Sequence, residues 1–440
     1  MEITELSKIL REYGVVGAGG AGFPTYGKLS DRADTILMNC AECEPLLKLH
    51  RQLLREHAHE ILKAFFLVKE TLQAKEAVIG IKEEYKSTIC AIEEYMDEFP
   101  GMRIHKLPGA YPMGDEVVLI YEATGKVVRP GGLPIECGVA VFNVETLYNV
   151  YRAVWENHPV TDKLVTVAGE VEHPVTVRVP LGMKIKDVVS FAGRITTGNP
   201  VYLLGGPMMG NFGNENQTVT KTTSAVIVLP ENHSLYLKRM TRFSTAIQRA
   251  ASSCCQCQTC TDLCPRNGLG HPVTPHLFMR AAANRDFSSM EPFVDTLFCS
   301  SCGLCEMYSC PQGLSPRSMM AEYKAGLRKN GIKPKTVEAA PVKDSREYRR
   351  VPEERLISRL GLKKYDVDAP LNDNLQSAAK LKILLSQHIG APAKAVVKQN
   401  DLVRFGQVIA TAADGLSVNI HASSDGKVAE VTENYIVIEA

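Results

Sequence analysis

The sequence predicts a multidomain α/β protein: an N-terminal α/β domain, a strand-rich segment, a helical cysteine-rich module and a C-terminal segment of short strands. Three observations carry this. At roughly 150 residues per domain, a chain of 440 residues holds about three domains. Apolar periodicity changes along the chain, from helical spacing near the N-terminus to alternation over 164–218 and to short, turn-separated strands over 386–440. Nine of the thirteen cysteines crowd between Cys254 and Cys310. Composition narrows the function classes. Hydrophobic residues make up 45% and charged residues 22%, which excludes disorder as the main theme. Fifty Lys and Arg against forty-nine Asp and Glu leave no basic excess for nucleic acid. Apolar stretches such as Ser224–Pro230 fall far short of the ~20 residues that span a bilayer. Met1–Glu5 lacks the basic start of a signal peptide. The expectation is a cytoplasmic protein without direct membrane insertion, whose cysteines serve metal or redox chemistry.

The first domain is assigned to 1–160. Ile3, Leu6, Ile9, Leu10 and Tyr13 stand at helical spacing, so the glycine loop Gly17–Gly22 follows a helix. Its G-x-G-x-x-G pattern therefore lacks the preceding strand that a dinucleotide fingerprint requires. What remains is backbone bare enough for a cofactor to approach, with Lys28 available to a phosphate or an electron-rich ring. Gly17–Lys28, Asn39–Pro45, Tyr111–Glu116 and Asn143–Leu147, in that order, resemble the FMN- and NADH-binding subunit of respiratory complex I. The resemblance implies a complex I-type FMN/NADH-binding fold in which Gly17, Gly19, Gly20, Gly22, Lys28, Asn39, Glu42, Gly114, Asp115, Glu116, Asn143 and Thr146 surround FMN. It also implies that Phe23 and Glu44 lie on the nicotinamide side, with Glu44 and Lys28 as the catalytic pair. Asp31, where that family has an aromatic, and Ala41, where it has an acid, bear on NADH affinity more than on FMN. Cys40 and Cys43 form a C-x2-C, but a thioredoxin-type dithiol needs a helix starting there and Pro45 disfavours it. Residues 46–75 read as one long helix, and its His50, His57 and His59 as solvated or packing side chains.

Residues 161–235 alternate as strands, with Gly205–Gly210 as a turn, and resemble the SLBB β-grasp module that follows the flavin domain in that family. Residues 236–328 carry the metal signal. Cys254, Cys257, Cys260 and Cys264 follow C-x2-C-x2-C-x3-C before Pro265, and Cys299, Cys302, Cys305 and Cys310 repeat the run with a four-residue last step before Pro311. Zinc favours two separated C-x2-C pairs or His ligands, whereas consecutive steps closed by Cys-Pro suit 4Fe–4S clusters. In two-cluster ferredoxins the fourth ligand is crossed. One cluster is accordingly assigned to Cys254, Cys257, Cys260 and Cys310, and the other to Cys299, Cys302, Cys305 and Cys264. Cys255 is left over as a packing thiol. Thr274-Pro275 opens a helix to about Asn284 between the runs.

Residues 329–378, charged and Pro-punctuated, read as a linker or surface segment. Residues 379–440 look like a biotinyl/lipoyl-type barrel-sandwich, but Ala413–Ser417, where a carrier presents its lysine, has none. The module is therefore read as structural or docking.

The whole order resembles the cobalamin reductases of propanediol-utilisation microcompartments and, next, the C subunit of Rnf electron-transport complexes; the C-terminal barrel and the spacing before Cys310 favour the former. This implies an NADH-dependent flavin and iron–sulfur oxidoreductase, with NADH as donor, FMN as converter and two 4Fe–4S clusters as the wire. The acceptor implied is a corrinoid, cob(III)alamin or cob(II)alamin, handed to an adenosyltransferase, in the cytoplasm or inside a bacterial microcompartment whose shell is a further partner. The Rnf-like alternative delivers electrons to a protein or membrane-complex acceptor, and a third reading is a structural assembly component. No D-x-H-x-x-G run exists, so a corrinoid would be a visitor. The N-terminal helix is read as a structural first helix in preference to a targeting peptide.

Overall fold

The computed structural model describes residues 1–440. Helix α1 (Ile3–Glu12) buries Leu6 and Leu10 completely, so it is part of the domain and not a detached peptide. After the glycine loop come β1 (Thr35–Cys40), α2 (Leu49–Glu56), α3 (Ala58–Leu72), β2 (Glu76–Lys82), α4 (Lys86–Glu93), β3 (Met102–Leu107), the short β4 (Ala110–Tyr111), α5 (Glu116–Thr124), β5 (Val139–Asn143) and α6 (Val144–Trp155). The main sheet runs β3-β2-β1-β5, every pair parallel. Because successive strand residues face opposite sides, Ile36 and Met38 join Leu53, Phe65 and Leu147 on one face, while Leu37 meets Val118 and Ile120 of α5 on the other. A sheet covered on both faces leaves its strand ends as the place for a ligand.

The single helix expected over 46–75 is two. The chain breaks at His57 (φ −125°, ψ 40°). The break turns the His57 ring onto Tyr148, 4.6 Å between centroids, with Nε2 2.8 Å from Asp373 Oδ2. No local pattern announces a partner that far along the chain.

The β-grasp unit contains β6 (Asp162–Gly169), β7 (Val175–Pro180), α7 (Ile185–Ser190), β8 (Pro200–Leu204), β9 (Asn211–Gly213) and β10 (Ala225–Pro230). Asp162, at the start of β6, is buried and receives Arg152 from α6 (2.9 Å) and Arg178 from β7 (2.7 Å). Burial opposes ionisation, but the two guanidiniums outweigh it and hold the carboxyl well below the usual range. Asp162→Ala takes from the buried Arg152 its closest carboxylate and leaves Arg178 with Asp373 alone, and is expected to cost about 3–5 kcal/mol in chemical denaturation. Since the folded pKa is depressed, this stabilisation is present above the unfolded aspartate pKa of about 3.9 and fades as pH falls towards the folded value. A wild type and variant equally stable at neutral pH would refute it.

Next come α8 (Ser234–Arg239), α9 (Phe243–Ser253), the single turns α10 (Thr259–Asp262) and α11 (Pro265–Gly268), α12 (Pro275–Asn284), α13 (Glu291–Val294), α14 (Leu304–Met307) and α15 (Pro316–Lys329). α12 starts and stops where the Thr-Pro signal places it, and its Phe278 and Met279 share a small core with Phe293, Met319 and Met320.

The stretch 329–378 is no loose linker. β11 (Val351–Pro352) pairs with β4, α16 (Glu353–Arg359) follows, and β12 (Leu371–Leu375) adds a parallel strand to the β-grasp sheet, giving β12-β7-β6-β10-β8-β9. Several of its charges are engaged. Glu353 meets the fully buried Lys82, Arg346 and Arg350 meet Glu122 of α5, and Arg178 reaches Asp373 at 2.6 Å. This segment straps the flavin-side domain to the rest.

The C-terminal barrel holds β13 (Lys380–Leu384), β14 (Lys394–Ala395), β15 (Leu402–Val403), β16 (Val408–Thr411), β17 (Ile420–His421), β18 (Gly426–Val431) and β19 (Tyr435–Glu439), in sheets β13-β19-β18-β15 and β14-β16-β17. Its tip at Ala413–Ser417 is tied down: Arg11 donates to the Ala413 carbonyl (2.9 Å), and the Tyr26 hydroxyl bridges the Gly415 carbonyl and Ser417 N–H, both at 3.1 Å.

Candidate functional site

The glycine loop lies over the N-terminus of α6. Ala18 N–H donates to Thr146 Oγ1 (2.9 Å), and a Cβ on Gly19 would stand 3.2 Å from Asn143 Nδ2. Asn143 itself caps α6 through Glu145 N–H (2.9 Å). Unpaired N–H groups and the positive end of a helix dipole at this place suit an anion such as the FMN phosphate. Gly20 is exposed at φ +72° with nothing within 4 Å of where a Cβ would be, a bare backbone facing open space. Gly17 closes the loop by donating to the Phe23 carbonyl (2.9 Å), and the Phe23 ring packs against Gly27. Gly22 serves a different end than a cofactor cradle. A side chain there would strike Thr222 and the backbone at His388, so this glycine fits the loop against the β-grasp unit and the barrel.

The second wall comes from the ends of β1 and β5 and the start of α5. Asn39 Nδ2 donates to the Gly114 carbonyl (3.0 Å), and Gly114 has no room for a side chain because Cys43 Sγ would be 3.0 Å away. Lys28 Nζ sits between Glu116 Oε1 (3.1 Å) and the Val141 carbonyl (2.9 Å), an anchored cation at the strand ends. Glu42, held at φ 38°, turns its carboxylate to His50 N–H (2.7 Å) at the start of α2 and towards Arg51 (3.6 Å). Cys40 and Cys43 lie on a loop that does not begin a helix, and burial raises both thiols, Cys43 to about 12. A reactive dithiol needs the opposite shift.

Glu44, which the resemblance places on the nicotinamide side, lies against the β-grasp unit. It is covered by the β-grasp loop Gly205–Gly210, where Met208 N–H donates to Oε2 (2.8 Å) while Oε1 has no partner. Gly206 is bare because Glu44 occupies the space its side chain would take. Burial pushes the carboxyl up to about 7, against the pull of Met208 N–H and Arg239.

His50, read from the sequence as a solvated or packing side chain, packs beside the site. Buried, with burial lowering its pKa to about 4, it lies 3.3 Å from Asn143 Nδ2 and 3.9 Å from Glu145. Its signal was its place six residues after Glu44, close behind the flavin-loop motif.

The cysteine runs fold around two separate spaces. Cys254, Cys257 and Cys260 line one together with Cys310, and Cys299, Cys302 and Cys305 line the other together with Cys264. All thirteen cysteines are free thiols. No three of the acidic, His or Cys groups converge tightly enough to hold one ion. The thiols ring a space instead, which suits a cubane taking one thiolate at each iron corner. Burial and neighbouring sulfurs push Cys260 up to about 12, so these groups as thiolates need a cationic core among them.

Two contacts join flavin loop and second cysteine set. The buried Tyr111 hydroxyl donates to the Cys302 carbonyl (2.7 Å), and Arg266, two residues after Cys264, points one guanidinium nitrogen, Nη2, at both carboxylate oxygens of Asp115, 2.9 Å from each.

Comparison with known proteins follows the same division. Residues 10–152 match the Nuo51 FMN-binding domain, 164–212 the SLBB domain, 253–315 the 4Fe–4S dicluster domain and 361–440 the RnfC barrel sandwich hybrid domain. The chain is 40% identical over 431 residues to cobalamin reductase PduS of Citrobacter freundii, covering 98% of this chain and 95% of that one. It is 40% identical over 436 residues to the protein of the same name from Salmonella typhimurium strain LT2, covering 99% and 96%. Among solved structures, an NAD+-reducing NiFe hydrogenase in the H2-reduced state shares the fold, with a TM-score of 0.50 at 21% identity over 76% of this chain and 64% of that one. FMN and two 4Fe–4S clusters are thus the cofactors of this fold, and no helix is long and apolar enough to cross a membrane.

Proposed function

The chain belongs to the cobalamin reductase PduS family of flavin and iron–sulfur oxidoreductases, and from that premise we propose that it carries electrons from NADH to cob(III)alamin and cob(II)alamin. When bound, the flavin accepts a hydride's two electrons and the clusters carry them one at a time. The protein's part is placement. The Gly17–Gly20 loop, Thr146 and Asn143 hold the cofactor's anionic end, and Lys28 and Asn39 brace its other side. Cys299, Cys302, Cys305 and Cys264 hold the near cluster, and Cys254, Cys257, Cys260 and Cys310 the far one. The observation that carries the reading is the contact between Tyr111, on a flavin-wall loop, and Cys302, on a cluster loop. It supports a route from flavin to near cluster to far cluster. An adenosyltransferase is the consumer that cob(I)alamin chemistry asks for.

Glu44 lies beside this junction, since it and Cys302 both act electrostatically on Tyr111. With its carboxyl at about 7 it holds or releases a proton near neutrality. Glu44→Gln is expected to keep FMN yet slow flavin reduction by NADH and flatten the pH dependence around 7. A variant profile still inflecting at the same pH in stopped flow would refute that role. The function as a whole is tested anaerobically with NADH as sole donor and hydroxocobalamin as acceptor. Reduction faster than by free reduced FMN at equal concentration supports it. NADH oxidation by dyes without corrinoid reduction would overturn it in favour of a protein acceptor.

A further inference from the structure

Between the second cysteine run and α16 the surface opens into a cleft of about 610 Å³, lined by Tyr308, Glu354, Arg355, Ser358 and Arg359. It is broad and open to solvent, so a ligand seated there would keep one face in water. Its wall follows helical spacing. Leu356, Ile357 and Leu360 are buried, while Glu354 and Ser358, and Arg355 and Arg359, are i, i+4 pairs on the exposed face. The floor is Tyr308, the one side chain between Cys302 and Cys310 that is not buried. It belongs to the four-residue step that distinguishes the second run from the first.

We propose that this cleft is where the corrinoid docks to receive its electrons. The inference rests on the corrinoid reading above and adds its location. Tyr308 is three residues after Cys305 and two before Cys310, so at most about 3.6 Å per residue puts its Cα within about 11 Å and 7 Å of theirs. Cys305 belongs to the near cluster's set and Cys310 to the far one's, so an acceptor on Tyr308 lies next to both. Lys238 extends the link. It donates to the Glu306 carbonyl and stands within electrostatic reach of Cys305, Cys310 and Arg359.

The chemistry of the wall fits this ligand. A corrinoid offers a flat macrocycle, a rim of amides and one phosphodiester. The accessible part of the half-buried Tyr308 ring suits the flat face, two arginines one turn apart suit the phosphodiester, and Ser358 and Glu354 suit amides. A solvated helix face would account for the arginines but not for an aromatic floor between two cluster ligands, Cys305 and Cys310. A protein acceptor would want a broader patch, about 800 Å² on each partner. The electron count closes with the established cofactors: NADH becomes NAD+ and a proton, and its two electrons reduce two cob(III)alamin to two cob(II)alamin, the two hydroxide ligands leaving as water with that proton and a second one taken from solvent.

The test uses the complete anaerobic holoprotein and hydroxocobalamin. The double variant Arg355→Glu/Arg359→Glu, and separately Tyr308→Ala, are compared with wild type. In the double variant, retention of hydroxocobalamin on ultrafiltration and kcat/KM for its NADH-driven reduction are expected to fall about tenfold or more, the worth of one lost charge-assisted contact. Ferricyanide reduction by NADH and the cluster EPR signals serve as folding controls. Unchanged retention and kcat/KM in both variants would overturn the cleft while leaving the cobalamin function standing. If wild type retains hydroxocobalamin but does not reduce it, loss of retention in the variants still supports the cleft while the functional reading fails. A wild type that neither retains nor reduces it overturns both.

Discussion

Cys264→Ser is expected to lose one 4Fe–4S cluster and to spare the other, cutting iron from about eight atoms per chain to about four. The cluster lost should be the one held by Cys299, Cys302 and Cys305, although Cys264 belongs in sequence to the first run. Cys310→Ser should do the reverse and remove the cluster of Cys254, Cys257 and Cys260. The expectation follows from which cysteines share a cavity. The functional effects differ as well. The near cluster adjoins Tyr111 and Asp115, so Cys264→Ser should abolish corrinoid reduction while NADH still reduces dyes through the flavin. Iron content and EPR of the two variants decide the matter. Sequential ligation would show Cys264→Ser removing the cluster of its own run.

Gly20→Val is expected to abolish FMN binding while both clusters assemble. Valine would push its branched side chain into the open space above the loop, and at φ +72° it also strains the backbone. Gly20→Asn separates the two effects, since asparagine tolerates that backbone region yet still fills the space. Both variants should come off the column colourless in the flavin bands, with iron unchanged. Stoichiometric FMN in Gly20→Asn would mean that strain, not occupied space, explains the valine result.

Much of this organisation is legible in sequence where the determinants are local. Cysteine spacing marks the cluster module because a cubane needs ligands at short, fixed intervals, and Thr274-Pro275 marks a helix start because an N1 proline gives up no hydrogen bond. Glycines with Asn143 and Thr146 mark the flavin loop. Failures lie where a residue's partner is remote. Charged, proline-bearing composition reads as a linker until Arg346 meets Glu122 from 224 residues away. His57 looks like one more residue of a helix until Asp373 arrives 316 residues later. The β-grasp loop over Glu44 is likewise invisible locally, because nothing near residue 44 encodes Met208.

The strap bears on how the chain comes off the ribosome. Lys82 is fully buried in the first domain, and its carboxylate partner, Glu353, is 271 residues downstream. Glu122 likewise waits for Arg346 and Arg350, and β4 for its only neighbouring strand. During synthesis the first domain therefore cannot reach its final state when its own last residue emerges. It must persist with Lys82 short of its closest carboxylate and with an open edge while the β-grasp and cysteine-rich segments are made. Cofactor insertion and vectorial folding are thereby put in an order, with the flavin-side domain closing late, after the segment that follows the cluster ligands has passed through.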